Sequence, residues 1–467
     1  MTTETTADLD FRPATEADMP FIQQQIERHN LDGETVAAEQ FITLRRDGEI
    51  LAFGRVKPYE HTFELGSVVT VESERGRGLG EAITRELIRR FPQDEVFITT
   101  DIPTYYERMG FLRTKILPDE LAAKVERVER AGFKKNVTGM VYDRNYEKLP
   151  TIADVFRAKH LLEGQLEPTP LVYNPTMSRE LGFEAYLKLE NLQPIGAFKV
   201  RGGINLCASL SDDERARGIV GASTGNHGQS LAYGAKQCHT RCVIAMPKEA
   251  NPLKVESMRA LGADVQFHGA NFEEARDWAE VFARENGMRY VHHVNSPELI
   301  AGVSTMSLEI MDSLPEVDVI ITPIGGGSAS VGHCLVAKAL KPSVQVIGVQ
   351  TAGAPAVYNS WRERTLQTAA IHTAAEGLAT GHPYYTPVRV FIEKMDDILL
   401  VSEQELRDGI LRLARTAHVV AEESGAAATA AAVQIAERLR GKKVAIIVSG
   451  GNIPLDHLRR VLLDANL

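Results

Sequence analysis

Residues 190–203 read ENLQPIGAFKVRGG. They follow an apolar alternation from Ala185 to Leu189 that predicts a strand, and Gly196–Ala197 bends the chain before a helix that starts at or near Lys199. The lysine thus sits between a Gly-Ala pair and a basic turn. Its amine is hydrated and protonated at neutral pH, and becomes a nucleophile only where burial or a neighbouring cation lowers its pKa. Phe198 and Val200 are placed to supply that burial. A lysine at a helix start is more often a solvated surface charge, so the meaning of this window depends on what the rest of the chain brings to it.

Outward from it, short branched apolar runs alternate with helical patterns: IVGA at 219–222, CVIAM at 242–246, VDVIITPIGGG at 317–327, VQVIGVQ at 344–350 and VAIIVSGG at 444–451. Strands alternating with helices predict parallel sheets wrapped on both faces, with ligands at the carboxyl ends of the strands. Three of those ends carry polar or glycine clusters: Ser223-Thr224-Gly225-Asn226-His227, Gly325-Gly326-Gly327-Ser328, and Ser449-Gly450-Gly451-Asn452. The triple glycine predicts a nest of backbone N–H groups suited to a phosphate monoester. With Lys199 the chain then offers an amine, a phosphate cradle, an amide and a hydroxyl, a set that fits a phosphorylated aromatic aldehyde. Singly, each has a plainer reading as a tight turn, a helix cap or a half-buried histidine.

Before residue 150 the pattern differs. Strands are expected at 9–12, 41–44, 50–57 and 65–71, a helix reaches Ile26 with Thr15 as its cap, and a charged helix spans 119–131 ahead of a strand at 137–143. The strand ending at Val71 runs into Arg75-Gly76-Arg77-Gly78-Leu79-Gly80 and then a helix with Ile83, Leu87 and Ile88 on one side, a turn whose N–H groups face outward at the positive end of a helix and attract anions. Leu149–Pro150 marks the boundary, which gives domains 1–148 and 149–467.

The 467 residues carry a formal charge of −10, which argues against binding a nucleic-acid backbone, and no apolar run is long enough to cross a bilayer. Small molecules are the expected partners. Four cysteines, Cys207, Cys238, Cys242 and Cys334, show neither a disulfide framework nor paired-ligand spacing and suit a reducing cytoplasm. The opening MTTETTADLD has no basic segment followed by an apolar core, so no leader is expected.

The turn at 75–80 resembles the R-x-x-G-x-G acyl-CoA pyrophosphate loop of the GNAT superfamily of N-acetyltransferases, with Arg75, Gly78 and Gly80 in its places, and YYERMGF (105–111) is similar to that family's F-Y-E-K-x-G-F segment. The resemblance covers about the first 145 residues and implies an α+β domain that takes acetyl-CoA, with Tyr106 as general acid and Glu64 or Glu72 as base. The asparagine that often precedes the tyrosine segment is absent.

From 152 to 467 the chain resembles the fold type II pyridoxal-phosphate enzymes, in their threonine/serine dehydratase and serine racemase branch, on TPL (169–171), ENLQPxGxFKxRG, S-x-GNHGQ, GGGS, E-x-SGA (422–426) and SGGN. The resemblance implies a second domain of two parallel-sheet subdomains and a homodimer. It makes Lys199 the cofactor-linked base. Gly325, Gly326, Gly327 and Ser328 would bind the cofactor phosphate, Asn226 its phenolic oxygen and Ser449 its ring nitrogen, while Ser223, Gly225 and His227 would surround the substrate carboxylate. The implied activity is loss of a β-hydroxyl from threonine, serine or a related amino acid, giving a 2-oxo acid and ammonia; racemisation, β-replacement and a bifunctional acetyltransferase are the alternatives. Thr224 stands where racemases carry the serine of the opposite face. Gln350 and Ala356 replace carboxylates of relatives that bind a divalent cation, so no metal site is expected. GVST at 302–305 stands for GQGT, and no ACT-like region is expected after 467.

Overall fold

The computed structural model describes residues 9–132, 136–250 and 252–463, so the first eight residues of the acidic N-terminus lie outside the described part. The chain falls into two units: residues 1–147 with 364–366, and residues 148–363 with 367–467.

Unit 1 is a mixed sheet of strands β1 (Asp10–Pro13), β2 (Phe41–Arg46), β3 (Glu49–Pro58), β4 (Phe63–Thr70), β5 (Glu95–Thr100), β6 (Leu112–Thr114) and β7 (Thr138–Asp143). Their order is β1-β2-β3-β4-β5-β7-β6, extended beside β6 by a two-residue strand from residues 365–366. Antiparallel pairing holds from β1 to β4. β4 and β5 run parallel and are paired only at Glu64 and Phe97, so the sheet splays there. Thr15 and Asp18 form a reciprocal cap at a short 3-10 turn that leads into the helix Met19–Arg28. The glycine turn delivers the chain to the helix Leu79–Arg90: Gly76 and Gly78 have φ of 79° and 81°, a region that glycine enters without the Cβ clash other residues meet. Ile83 and Leu87 lie on its buried face.

Unit 2 holds β8 (Leu171–Tyr173), β9 (Glu184–Leu189), β10 (Ile219–Ala222), β11 (Cys242–Met246), β12 (Asp264–Phe267), β13 (Arg289–Tyr290), β14 (Val319–Pro323), β15 (Gln345–Thr351), β17 (Asp397–Val401) and β18 (Lys443–Val448), β16 being Thr365–Leu366 of unit 1. A four-stranded sheet, β12-β11-β10-β13, is parallel throughout. A six-stranded sheet, β17-β15-β14-β18-β9-β8, is parallel except for its β8 edge. Every residue of β10, β11 and β14 is buried, as expected of parallel strands covered on both faces. The second unit opens with the helix Ile152–Leu162, whose start is fixed by a capping box: the Asp154 N–H donates to Thr151 Oγ1 at 3.3 Å, and the Thr151 N–H to Asp154 Oδ2 at 2.7 Å.

The helix expected to start at or near Lys199 is Val200–Ala208, with Lys199 as its N-cap, so the basic stretch Val200–Gly203 is its first turn, and the helix is buried from Val200 to Cys207. Its glycines serve helix packing. A Cβ on Gly203 would lie 2.1 Å from Ser230 O of the helix Asn226–Gln237, and one on Gly302 of the helix Pro297–Ser313 would lie 2.5 Å from Arg201 O. The helix that follows Lys199 is thus clamped between two others at near backbone contact.

Candidate active site

Lys199 stands at the N-cap of that helix, between a strand exit and a rigid cylinder. Its main chain is pinned: Ser230 Oγ donates to Lys199 O at 2.5 Å while accepting from Gly203 N at 3.1 Å. The Lys199 ammonium donates to Ser328 Oγ at 2.9 Å and lies 5.1 Å from the centre of the Phe198 ring. Burial lowers its pKa from 10.5 to about 8. The side chain is therefore no solvated surface charge.

Ser328 begins the helix Ser328–Leu340, and Gly327 caps it with φ of 106°. Each glycine of the turn is sterically required. A Cβ on Gly325 would lie 2.0 Å from Gly377 O, on Gly326 2.5 Å from Val294 Cγ2, and on Gly327 2.7 Å from Pro387 Cβ. Among the described residues, the N–H groups of Gly325, Gly326, Gly327 and Ser328 donate to no other residue. Free backbone donors at the positive end of a 13-residue helix make an anion seat.

The segments that follow β9 and β18, neighbours in the six-stranded sheet, meet at this point, and Asn226 after β10 joins them from the four-stranded sheet. Phe198 N donates to Ser449 O at 3.1 Å, and Ala197 bridges to Gly450. Asn226 has both ends of its amide assigned: Nδ2 donates to Glu422 Oε1 at 2.9 Å, and Oδ1 accepts from Asn452 Nδ2 at 2.8 Å, which also donates to Ile195 O. One Asn226 N–H is left over. Burial pushes the Glu422 carboxyl up to about 7, against the pull of Asn226 and Lys254. Ser449 is buried and its hydroxyl donates to Ser424 O at 3.2 Å, so it has to rotate to face another acceptor. Ser223 Oγ accepts from Gly225 N and Gly228 N, at 3.1 and 2.9 Å, and closes the loop ahead of the helix Asn226–Gln237. His227 is buried with no hydrogen-bond partner at Nε2, and burial holds it well below the usual histidine range, hence neutral. Thr224 is exposed.

Several participants had no sequence signal of their own. Arg201, 1% exposed, donates to Glu190 at 2.8 Å through both Nε and Nη2 and reaches Glu309, which also pairs with Lys188. This buried four-charge network holds the arginine two residues beyond Lys199, whereas an arginine so close to a lysine reads as surface. His292 and His293 stack at 4.9 Å, and the His293 ring is 3.6 Å from where a Gly326 Cβ would stand. Burial keeps His293 neutral. Glu422 and Asn452 lie inside recognised motifs, yet nothing in their spacing announced that they would hold Asn226. Of the two positions expected to lack a cation-binding carboxylate, Gln350 uses its Oε1 to accept from Tyr358 N at 3.0 Å, and Ala356 starts the helix Ala356–Glu363. Among the described residues no group of three or more His, Cys, Asp or Glu is arranged for a metal. A groove of about 760 Å3 between the helices Glu403–Ala417 and Glu423–Gln434 includes none of these residues.

In unit 1, Arg75 is exposed, with Nε 3.4 Å from Thr70 O and Nη2 3.4 Å from His29 Nε2. Gly80 is the tight point of the turn: a Cβ there would lie 2.6 Å from the hydroxyl of Tyr105. Tyr106 is buried, edge-on to Tyr105 and Phe111, and burial raises its pKa above the usual phenol range. Glu64 is held by Lys124 at 2.7 and 2.9 Å, by Tyr59 at 2.9 Å and by Thr99, while Glu72 pairs with Arg28 at 2.6 Å on the surface.

Two parallel sheets, a lysine of depressed pKa and a glycine-lined anion seat at their carboxyl ends define unit 2 as a fold type II enzyme, and the seat, amine and amide fit pyridoxal phosphate. Residues 162–450 match the family described as pyridoxal-phosphate dependent enzyme, and residues 6–111 the acetyltransferase (GNAT) family. The chain is 39% identical to the L-threonine ammonia-lyase of Thermotoga maritima over 67% of its own length and 78% of that protein. It is 32% identical to the serine racemase of Dictyostelium discoideum, over 67% and 98%. The processed threonine deaminase isoform 2 of Solanum lycopersicum superposes with a TM-score of 0.64 at 27% identity, over 68% of this chain and 95% of that one. The chain belongs to the pyridoxal-phosphate-dependent enzymes, in the threonine and serine dehydratase branch that also contains racemases, and it carries a GNAT domain in front. Among the described residues no helix is long and apolar enough to cross a membrane.

Proposed function

We propose that unit 2 is an ammonia-lyase that removes the β-hydroxyl of L-threonine, L-serine or a related β-hydroxy amino acid, releasing a 2-oxo acid and ammonia. The observation that carries the reading is the 2.9 Å approach of Lys199 Nζ to Ser328 Oγ at the glycine turn, one poised amine beside one anion seat. Lys199 would hold the cofactor aldehyde, Gly325, Gly326, Gly327 and Ser328 its phosphate, Asn226 its phenolic oxygen and Ser449 its ring nitrogen. When bound, pyridoxal phosphate supplies the electron sink that lets the hydrogen at the alpha carbon ionise. Lys199 Nζ, lowered to about 8, is basic enough to take that proton and, once protonated, acidic enough to pass it to the departing hydroxyl, which leaves as water. Ser223, Gly225 and the neutral His227 lie at a helix N-terminus suited to the substrate carboxylate. Ser449 offers a hydroxyl and no negative charge, which favours prompt loss of the β substituent. The exposed Thr224 keeps racemisation secondary.

The test is ammonia and 2-oxo acid release by the loaded enzyme from a panel of β-hydroxy amino acids. At least one substrate turns over, and Lys199→Ala lowers the rate by roughly 10²–10⁴-fold; a panel with no 2-oxo acid ends the proposal. Unit 1 is read as an acyl-CoA-binding module acting on the lyase, because both carboxylates that resembled a general base are ion-paired. A homodimer in a reducing cytoplasm belongs to the same reading, and sedimentation of the loaded enzyme checks the dimer.

A further inference from the structure

His293 stands beside the glycine turn with no role in the chemistry above. Its Nε2 lies 3.7 Å from where a Gly326 Cβ would stand, and its neighbour Val294 packs on the same glycine. Rings hold it there. His292 stacks on it at 4.9 Å and 15°, while Phe272 and Tyr384 stand edge-on at 5.3 and 5.1 Å. His292 is itself fixed, because its Nδ1 accepts from Val294 N and Asn295 N, both at 3.1 Å. The His293 ring is half-buried, and among the described residues its nitrogens hydrogen-bond to no other residue. A polar ring clamped at the edge of an anion seat, with its own donor and acceptor unused, is placed to meet what fills the seat.

Burial, and after it the basic groups His292, His227, Lys199 and Arg276, keep the ring neutral. The carboxylates of the neighbourhood are engaged elsewhere: Asp277 with Arg276 at 2.8 Å, Glu280 with Tyr290 and Arg276, Glu376 with Lys254, and Glu422 with Asn226. A phosphate monoester carries close to two negative charges at neutral pH. Against them the start of a helix offers about half a positive charge, and with Lys199 committed to the aldehyde the turn adds only backbone N–H groups and the Ser328 hydroxyl. A dianion is thus underbalanced there, and a charge taken out of water without compensation is costly. The dianion also opposes the basic groups that hold the proton off His293, so the ring gains a proton at a pH where it otherwise carries none.

We propose that His293 is a side-chain contact of the cofactor phosphate and supplies, as an imidazolium, the positive charge that the glycine turn lacks. The proposal rests on the reading of unit 2 as a pyridoxal-phosphate enzyme and adds to it a proton that enters with the cofactor. The experiment is calorimetric titration of the full-length chain, stripped of cofactor, with pyridoxal phosphate and with pyridoxal, which has the aldehyde and no phosphate. Run at pH 7 in two buffers of different ionisation heat, it counts the protons bound. Lys199 meets both aldehydes alike, so the difference between the ligands isolates the phosphate end. The wild-type chain is expected to take up roughly half a proton or more in excess with pyridoxal phosphate. His293→Gln abolishes the excess and weakens pyridoxal phosphate by about 10-fold or more, while pyridoxal binds as before. A loss shared equally by the two ligands marks the ring as structural and overturns the proposal. Equal proton uptake with both ligands in the wild-type chain overturns it too, and that measurement stands if the variant does not fold. Failure of the wild-type chain to bind pyridoxal phosphate ends the reading of unit 2 and this proposal with it, whereas binding without excess uptake ends this proposal alone.

Discussion

At the scale of single residues, Lys199 and Glu422 are displaced in opposite directions by the same cause. The Lys199 amine falls from 10.5 to about 8 because burial disfavours its charge. Between those values the folded chain binds fewer protons than the unfolded one, so this group makes stability rise with pH across the window, and below about pH 8 its ammonium is a cost to the fold. With allowance for its partial accessibility, that cost is on the order of 1–3 kcal/mol. Cofactor-free Lys199→Met is therefore expected to melt above the wild-type chain at pH 7, with the gain vanishing near pH 10.5; equal melting at pH 7 would place the ammonium in solvent. The rate of pyridoxal phosphate capture by the cofactor-free protein should likewise rise through a midpoint near pH 8. Glu422, raised from 4.5 to about 7, binds more protons folded than unfolded, so its contribution falls as pH rises from about 4.5 to 7. Glu422→Gln removes that fall, which thermal melts across pH 4.5–7.5 would register as a flatter profile.

At the scale of elements, much was legible because parallel strands covered on both faces are short runs of branched residues that end in turn chemistry. IVGA and CVIAM fall on β10 and β11 residue for residue, and the glycines after β14 lead directly into the helix Ser328–Leu340. What stayed hidden is long-range pairing. The helix start at Lys199 was legible, but nothing in VRGG shows that its glycines serve close packing until Ser230 O and the helix Pro297–Ser313 are seen against them, and nothing marks Arg201 as buried until Glu190 and Glu309 surround it. The edge strand β8, the two-residue β13 and the polar-ended β12 lack a long apolar run and escaped for that reason. Two outcomes follow from this packing. Gly203→Ala forces a Cβ to 2.1 Å from Ser230 O and should destabilise by at least about 1–3 kcal/mol while loosening the Lys199 main chain. Arg201→Met strands the buried Glu190 carboxylate and should destabilise by about 3–5 kcal/mol, measured by urea unfolding; a loss below 1 kcal/mol would mean that the network is not dry.

At the scale of the whole molecule, the chain passes between the two units three times, at 147–148, at 363–364 and at 366–367, because residues 364–366 belong to the sheet of unit 1. A single tether would leave the front unit a passenger, whereas a returning strand gives a change in unit 1 a covalent path into the segment between β15 and β17. Ligand binding in one unit shifts the other only by the difference in its affinity for the two states, and the effect is reciprocal. Acetyl-CoA added to the loaded enzyme is therefore expected to change the affinity for an unreactive analogue of the β-hydroxy amino acid without release of free thiol, and the saturating analogue should change acetyl-CoA affinity by the same factor, typically about 5–150-fold for such couplings. Free thiol released in step with an acetylated amine would identify a transferase. Thiol released in step with the 2-oxo acid would mean that the substrate hydroxyl is acetylated before it leaves. Binding of acetyl-CoA with no effect on the lyase in either direction would reduce unit 1 to a structural partner and refute the coupling.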